Sequence, residues 1–495
     1  MKKVLVTMLM LLFASSAYAA ATFTMTGDYT ATGRWWYNYQ AGLGTDYNSA
    51  NATSTSNPQY DPTDPTDNSL GHSLIGSFGY FEQDINLYPK ITFDNTSLNF
   101  RICITDVSWG TDGTDDGEES IQNGQTTNDD NIDIERAYLK HKFNDTVSVD
   151  VGLQDGAAFG TSFGDDVSPR WRIKFTEVTK AGIFLQIYEK NVESGKPDAG
   201  ATRNKDKDDG NSYGLAWIGK AGPITIKQLL WWSDASHLSA NNDYRGVKIF
   251  NPKLAINGDL GPIGMEGEID ARRFAFTEGI TGVSSIGGAA HQDDQNWWTY
   301  GLYLNIWAKA LDAMTPGMVL AYGSFKNDIC LASPNRFQGF DFGDDFNSTL
   351  ILGDEMAWGG NGRTGVTDLY GMSMIKLYLN DIKTPVKALT LNGYYAYIKS
   401  NQGNYERPTM VGSTVTYVYN GVISDSEKNL YHNAHAWEAG VGANYKITEN
   451  LAFTPYFSYA SITYSNPTLN EKYGEGNWEQ PAPIWLAGTD LSFTF

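Results

Sequence analysis

Residues 23–37 alternate with a period of two over a length that few soluble strands reach. Phe23, Met25, Gly27, Tyr29, Ala31, Gly33, Trp35 and Tyr37 are apolar or small, while Thr24, Thr26, Asp28, Thr30, Thr32 and Arg34 between them are polar. Successive side chains of a strand point to opposite faces, so this segment reads as an extended strand with one oily face. The pattern recurs. Phe81, Ile85, Leu87, Ile91 and Phe93 are interleaved with Glu82, Asp84, Asn86, Lys90 and Thr92. Leu98, Phe100, Ile102 and Ile104 alternate with Asn99, Arg101, Cys103 and Thr105, and Val147, Val149, Val151 and Leu153 with Ser148, Asp150, Gly152 and Gln154. Near the end, Trp437, Ala439, Val441, Ala443 and Tyr445 alternate with Glu438, Gly440, Gly442, Asn444 and Lys446. A soluble sheet would cover its apolar side with helices or a second sheet. No helical pattern is available here to do so.

Read along the whole chain, the periodicity predicts strands at 22–39, 77–93, 97–108, 132–143, 147–155, 168–178, 182–192, 211–219, 223–234, 246–258, 262–276, 296–308, 317–328, 364–380, 386–399, 431–447, 451–465 and 482–495. Short connections, such as 94–96, 144–146 and 179–181, alternate throughout with long ones. The long set is 40–76, 109–131, 156–167, 193–210, 235–245, 277–295, 329–363, 400–430 and 466–481. Short periplasmic turns and long external loops are the asymmetry of outer-membrane barrels. The expected fold is all-β: a transmembrane antiparallel up-and-down β-barrel of about 18 strands, with 16 as the alternative count. An even number puts both ends of the barrel on the periplasmic side.

Other features agree with this address. Lys2 and Lys3, the apolar stretch Val4 to Phe13 and the small-x-small Ala17-Tyr18-Ala19 form a secretory signal peptide, residues 1–19, removed after Ala19. The apolar stretch is shorter than the roughly 20 residues a spanning helix needs. Residues 20–495 read as a single barrel domain, and the first strand follows so closely that no plug domain is expected ahead of it. The 29 Tyr, 23 Phe and 14 Trp suit interfacial girdles. The net charge of −21 argues against nucleic-acid binding, which needs a basic surface.

A barrel of this size cannot fill its lumen from its own strands, so the polar phase should face water. Arg101, Arg136, Lys140, Arg170, Arg172 and Lys174 lie on that phase in the third, fourth and sixth strands. Glu266, Glu268 and Asp270 lie on it in the eleventh, and Glu82 and Asp84 on it in the second. The eleventh strand lies roughly across the ring from the third to sixth. A transverse field, basic on one wall and acidic on the other, is therefore expected; the bland alternative is that these charges only solvate the wall. The long loops are acidic. Asp112, Asp115 and Asp116 resemble part of a calcium loop, yet Asn123 stands where the twelfth-position acid belongs, so an ordinary solvated loop is the stronger reading and no metal or other cofactor is assigned. Cys103 falls mid-strand and Cys330 opens a long connection; two independent thiols are favoured over a bond between them. The six histidines form no nucleophile or zinc motif, so no enzyme activity is expected. Residues 296–308 are apolar on both phases, which suggests packing against a neighbouring subunit.

The closing Leu491-Ser492-Phe493-Thr494-Phe495 resembles the terminal-Phe signature of bacterial outer-membrane barrels, with Phe493 and Phe495 as the insertion signal read by the barrel assembly machinery. Met25-Thr26-Gly27-Asp28-Tyr29 with Trp35-Trp36-Tyr37-Asn38-Tyr39 resembles the first strand of the homotrimeric porins of sulfate-reducing-type bacteria, and Ile134-Glu135-Arg136-Ala137-Tyr138-Leu139 resembles a porin strand. The resemblance to porins implies a Gram-negative outer membrane, contact with lipid and lipopolysaccharide, and a homotrimer. It further implies passive diffusion of ions and small hydrophilic solutes, with one loop folded into the pore. The third long connection, 156–167, is short for that role, which points instead to 40–76, 329–363 or 400–430. A substrate-selective porin and a barrel sheath around an electron conduit stay open as alternatives, with an outer-membrane enzyme behind them.

Overall fold

The computed structural model describes residues 21–37, 78–109, 120–122, 125–126, 132–165, 167–192, 210–234, 247–276, 296–309, 311–325, 339–340, 342–343, 346, 348–352, 371–401, 409–411, 414–416, 434–463 and 483–495. The signal peptide, Asp112, Asp115, Asp116, Cys330 and the whole of 40–76 lie outside them.

Among the described residues, eighteen long strands form the wall. They are β1 (Thr22–Tyr37), β2 (Phe78–Phe93), β3 (Thr96–Trp109), β4 (Ile132–Lys142), β5 (Val147–Gly156), β6 (Ser168–Thr179), β7 (Gly182–Val192), β8 (Gly210–Ala221), β9 (Ile224–Asp234), β10 (Val247–Leu260), β11 (Ile263–Phe276), β12 (Asn296–Ala308), β13 (Thr315–Gly323), β14 (Met372–Lys383), β15 (Leu389–Ser400), β16 (His435–Lys446), β17 (Leu451–Thr463) and β18 (Ile484–Thr494). Each pairs antiparallel with its sequence neighbours. The ring closes where β1 meets β18, with Tyr29 opposite Phe493 and Trp35 opposite Ala487. Closure is obligatory in lipid, where an unpaired strand edge would leave a row of peptide groups each costing several kcal/mol. No helix among the described residues is long and apolar enough to cross a membrane; the strands cross it. An even-stranded antiparallel barrel with short turns at one end and long loops at the other is a Gram-negative outer-membrane protein.

The alternation in the sequence becomes the two surfaces of the wall. Phe23, Met25, Trp171, Phe175, Leu215, Leu230, Ile269, Leu377 and Val441 are all exposed on the outside. Their strand neighbours Arg172, Ser212, Asp270 and Glu438 point inward and are buried or nearly so. At the seam, Phe495 and Gly27 exchange backbone hydrogen bonds of 2.9 and 3.0 Å. The Phe495 ring lies over Gly27, in space that a Cβ on that residue would enter at 2.5 Å. The terminal aromatic thus covers a bare backbone at the closing strand.

Two bulges adjust the wall near its basic side, one between Asp84 and Asn86 and one between Arg101 and Ile102 against β4. The second leaves Ile134 opposite Ile102 and Arg136 opposite Arg101, so the phase shifts within β4 and the adjacent Glu135 and Arg136 both find polar partners.

The largest departure from the sequence reading is at β13 and β14. The expected strands 317–328 and 364–380 are observed as Thr315–Gly323 and Met372–Lys383. The connection between them is correspondingly longer, because the chain leaves the wall early and turns into the lumen. Gly371, at φ 73, returns it to the wall in a left-handed conformation that other residues rarely adopt.

Candidate functional site

Among the described residues, the lumen holds two inward segments. The first is the connection between β5 and β6, the short one that the sequence argued against. Its length is no obstacle, because it need only reach β9–β12. A single 3-10 turn, Ser162–Gly164, is capped by Thr161, whose Oγ1 accepts from the Phe163 amide at 3.3 Å. Glu268 of β11 accepts from both the amide and the hydroxyl of Thr161, at 2.6 and 2.9 Å. Lys227 of β9 donates to the Gly160 carbonyl at 2.7 Å, and Lys253 of β10 to that of Gly164 at 2.6 Å. Phe163, fully buried, stacks on Tyr303 of β12 at 5.4 Å.

The second inward segment belongs to the connection between β13 and β14, one of the three expected from loop length. Phe340 stacks on Phe163 at 5.3 Å and carries the Arg272 guanidinium 4.6 Å from its ring centre. Further on, Glu438 of β16 accepts from the consecutive amides of Leu350, Ile351 and Leu352 at 3.0, 3.0 and 2.8 Å. It also accepts from the hydroxyls of Tyr394 and Ser458. Lys376 of β14 donates to the Ser348 carbonyl.

The first segment lies against β9–β12, and both share one buried apolar cluster that runs from Tyr303 of β12 through Ile398 of β15 and Ile462 of β17 to Leu486 of β18 and Trp36 of β1. Trp297 and Tyr303 are buried, and a Cβ on Gly301 would stand 2.3 Å from the Phe340 ring. The inner phase of this doubly apolar strand is a seat for the inward segments, while Trp298, Tyr300 and Leu302 of its outer phase are exposed.

The eleventh-strand acids sit beneath those segments. Asp270 is 0% exposed, held by Lys253 at 3.1 Å, Arg272 at 3.5 Å and Asn251. Glu268 is engaged by Thr161, with Lys253 at 3.8 Å. Glu266 accepts from the Tyr303 hydroxyl at 2.5 Å and from Asn305 at 3.1 Å. Glu268 anchors the first inward segment, while Asp270 and Glu266 hold side chains of the wall itself.

The basic residues occupy the opposite stretch, β3 to β6, and most carry a partner. Arg101 pairs with Glu135 at 2.6 Å and donates to Asn86 at 3.1 Å. Arg136 pairs with Asp155 at 2.5 Å. Lys140 and Lys174 flank Asp150 at 3.8 and 3.0 Å. Arg172 and Glu189 form a pair whose side chains are 9% and 5% exposed. Arg170 is half-buried, and no ion pair is formed by it among the described residues. On β1 and β2, Arg34 stands 3.4 Å from Glu82, while Asp84 accepts from Asn86 at 2.6 Å and from the Cys103 thiol at 3.5 Å. Cys103 is buried, and its suggested relation to Cys330 lies outside the described residues, as do the calcium-like acids. No cluster of potential metal ligands occurs among the described residues.

Sequence reasoning passed over Glu438, Lys253, Lys376 and Phe163. Glu438 was visible as the one acid between Gly440, Gly442 and Ala436 on the inner phase of its strand. A carboxylate beside residues too small to shield it signals that something else fills that space.

No family model matches the sequence, and no curated protein matches it. Solved structures do. One is OpdK of Pseudomonas aeruginosa with vanillate, at 8% identity, covering 95% of this chain and 98% of that one, with a TM-score of 0.45. A BenF-like porin from Pseudomonas fluorescens matches at 10% identity, 95% and 98% coverage and a TM-score of 0.47. A loop-deleted OmpT of Vibrio cholerae matches at 9% identity, 96% and 100% coverage and a TM-score of 0.38. The resemblance to sulfate-reducer-type homotrimeric porins gains no support from these matches.

Proposed function

We propose that this chain is an outer-membrane channel for small hydrophilic solutes, selective in what it passes. The observation that carries the reading is the pair of carboxylate-anchored inward segments, Thr161 on Glu268 and Leu350–Leu352 on Glu438. A barrel with an unobstructed lumen would pass solutes by size alone. The packed segments, with the buried apolar cluster that extends over β17, β18 and Trp36 of β1, confine the passage to the side lined by β3–β6, where solutes meet a wall of charged groups. Most of those charges are paired locally, so their fields largely cancel at a distance. Arg170, and Lys140 with Lys174 around the single Asp150, leave positive charge on this wall against the carboxylate of Asp84, which meets only neutral donors among the described residues, and the selectivity follows from that balance.

The test is single-channel recording in planar bilayers. The parent protein should show discrete conductance steps with a preference for small anions, and Arg170→Glu should shift the reversal potential toward cations. Steps with no change of selectivity in Arg170→Glu would remove the charge argument, and absence of steps would remove the channel. The homotrimer belongs to the same proposal, with closure in three equal steps as its signature.

A further inference from the structure

Glu268 and Glu438 do the same work on different segments. Glu438 is 0% exposed and gathers three consecutive backbone N–H groups, an arrangement that ordinarily cradles an anion and is here filled by the protein's own carboxylate. Glu268, also buried, gathers the amide and hydroxyl of Thr161. The Glu438 latch lies along the chain from the place where the two segments meet, whereas the Glu268 latch on Thr161 lies beside it, close to Gly164. At that junction the Gly343 amide donates to the Phe163 carbonyl at 2.9 Å. Phe340, Phe342 and Phe346 all surround the Phe163 ring at 5.2–5.4 Å. The fit leaves no slack, since a Cβ on Gly343 would stand 1.9 Å from the Asp165 carbonyl oxygen.

We propose that the two inward segments are one cooperative unit with two latches, so that releasing either carboxylate loosens both segments. Phe163 is removed from water only while the rings of the second segment surround it. Those rings are fixed in turn by the Leu350–Leu352 anchor further along the same segment. Loss of one anchor therefore weakens the packing on which the other segment depends, and the coupling is reciprocal because it is a free energy shared by two sites. The coupling itself does not require the barrel to conduct; only its consequence, a passage set by the unit as a whole, rests on the channel reading.

The experiment is amide hydrogen exchange on the full barrel folded in lipid nanodiscs, with bilayer conductance recorded in parallel. Glu438→Gln keeps the side-chain shape and removes the charge. Its expected effect is about tenfold or faster exchange at residues 348–352, as befits loss of charge-assisted bonds. The coupling further requires faster exchange at residues 159–165. Glu268→Gln should produce the converse, accelerating residues 348–352, and provides an independent arm where the first variant folds poorly. Gly343→Ala, which forces the junction apart without touching either latch, should confine the Glu438→Gln effect to residues 348–352. Exchange that quickens only beside the altered carboxylate, in both latch variants, overturns the proposal; so does an unchanged pattern in both. Coupled exchange in a protein that shows no conductance steps supports the unit and overturns the channel reading alone.

Discussion

Replacing Phe163 by Ala tests whether the first inward segment is held by its aromatic tip or by its polar anchors. The ring is fully buried, stacked on Tyr303 and Phe340 at 5.4 and 5.3 Å and met edge-on by Phe342 and Phe346 at 5.2 and 5.4 Å. Truncating a buried Phe to Ala costs about 3–5 kcal/mol. The competing polar contributions are the Thr161 pair of hydrogen bonds to Glu268 and the bonds of Lys227 and Lys253 to the Gly160 and Gly164 carbonyls, each worth about 1.5–3 kcal/mol when one partner is charged. Burying the carboxylate offsets part of that gain. The aromatic tip is therefore comparable with the Glu268 anchor alone, and the segment needs both the ring and its polar anchors to stay seated. A loss of only about 3 kcal/mol changes the ratio of seated to released segment by roughly a hundredfold. A spin label on the exposed Ser162 reads this directly, because its motion should pass from restricted to fast in Phe163→Ala. Single-channel conductance should rise or become noisy in the same variant. An immobile label together with an unchanged conductance would show that the polar anchors suffice, and would refute the need for the aromatic tip.

Three other perturbations separate wall from lumen. Arg172→Ala leaves Glu189 buried without its partner, and should lower stability by about 3–5 kcal/mol in urea titrations of the protein in lipid vesicles. Leu215→Arg places a charge on the lipid side between Tyr213 and Trp217 of β8 and should cost about 2–4 kcal/mol in the same assay, whereas Thr24→Arg, on the inner phase of β1, should cost far less. Gly301→Val has no room for its side chain beside Phe340, so the second inward segment should lose its seat; a conductance identical to that of the parent would contradict the packing described.

Much of the wall was written locally. Alternation in 23–37 and 147–154 determines which side chains meet lipid, because successive residues of an extended chain must point to opposite sides. Hydrocarbon then admits only a closed ring, so strand number and the side that carries the long loops follow from counting connections. The inner phase of Arg101, Arg170 and Arg172 was legible for the same reason. What was not legible is which inner residues meet water and which hold chain. That depends on segments arriving from elsewhere: Thr161 reaches Glu268 across 107 positions, and Leu350 reaches Glu438 across 88. The double apolarity of 296–308 was plain in the sequence, yet the meaning of its inner phase was decided by the arrival of Phe163 and Phe340. Loop length misled for a related reason. A loop is drawn inward by the partners that await it, and the short connection carrying Phe163 had two lysines, a carboxylate and a tyrosine ring waiting on β9–β12. Periodicity along a chain determines faces, because it is a property of neighbouring residues; the contents of the interior are set by pairings between distant ones, which only the folded barrel brings within reach.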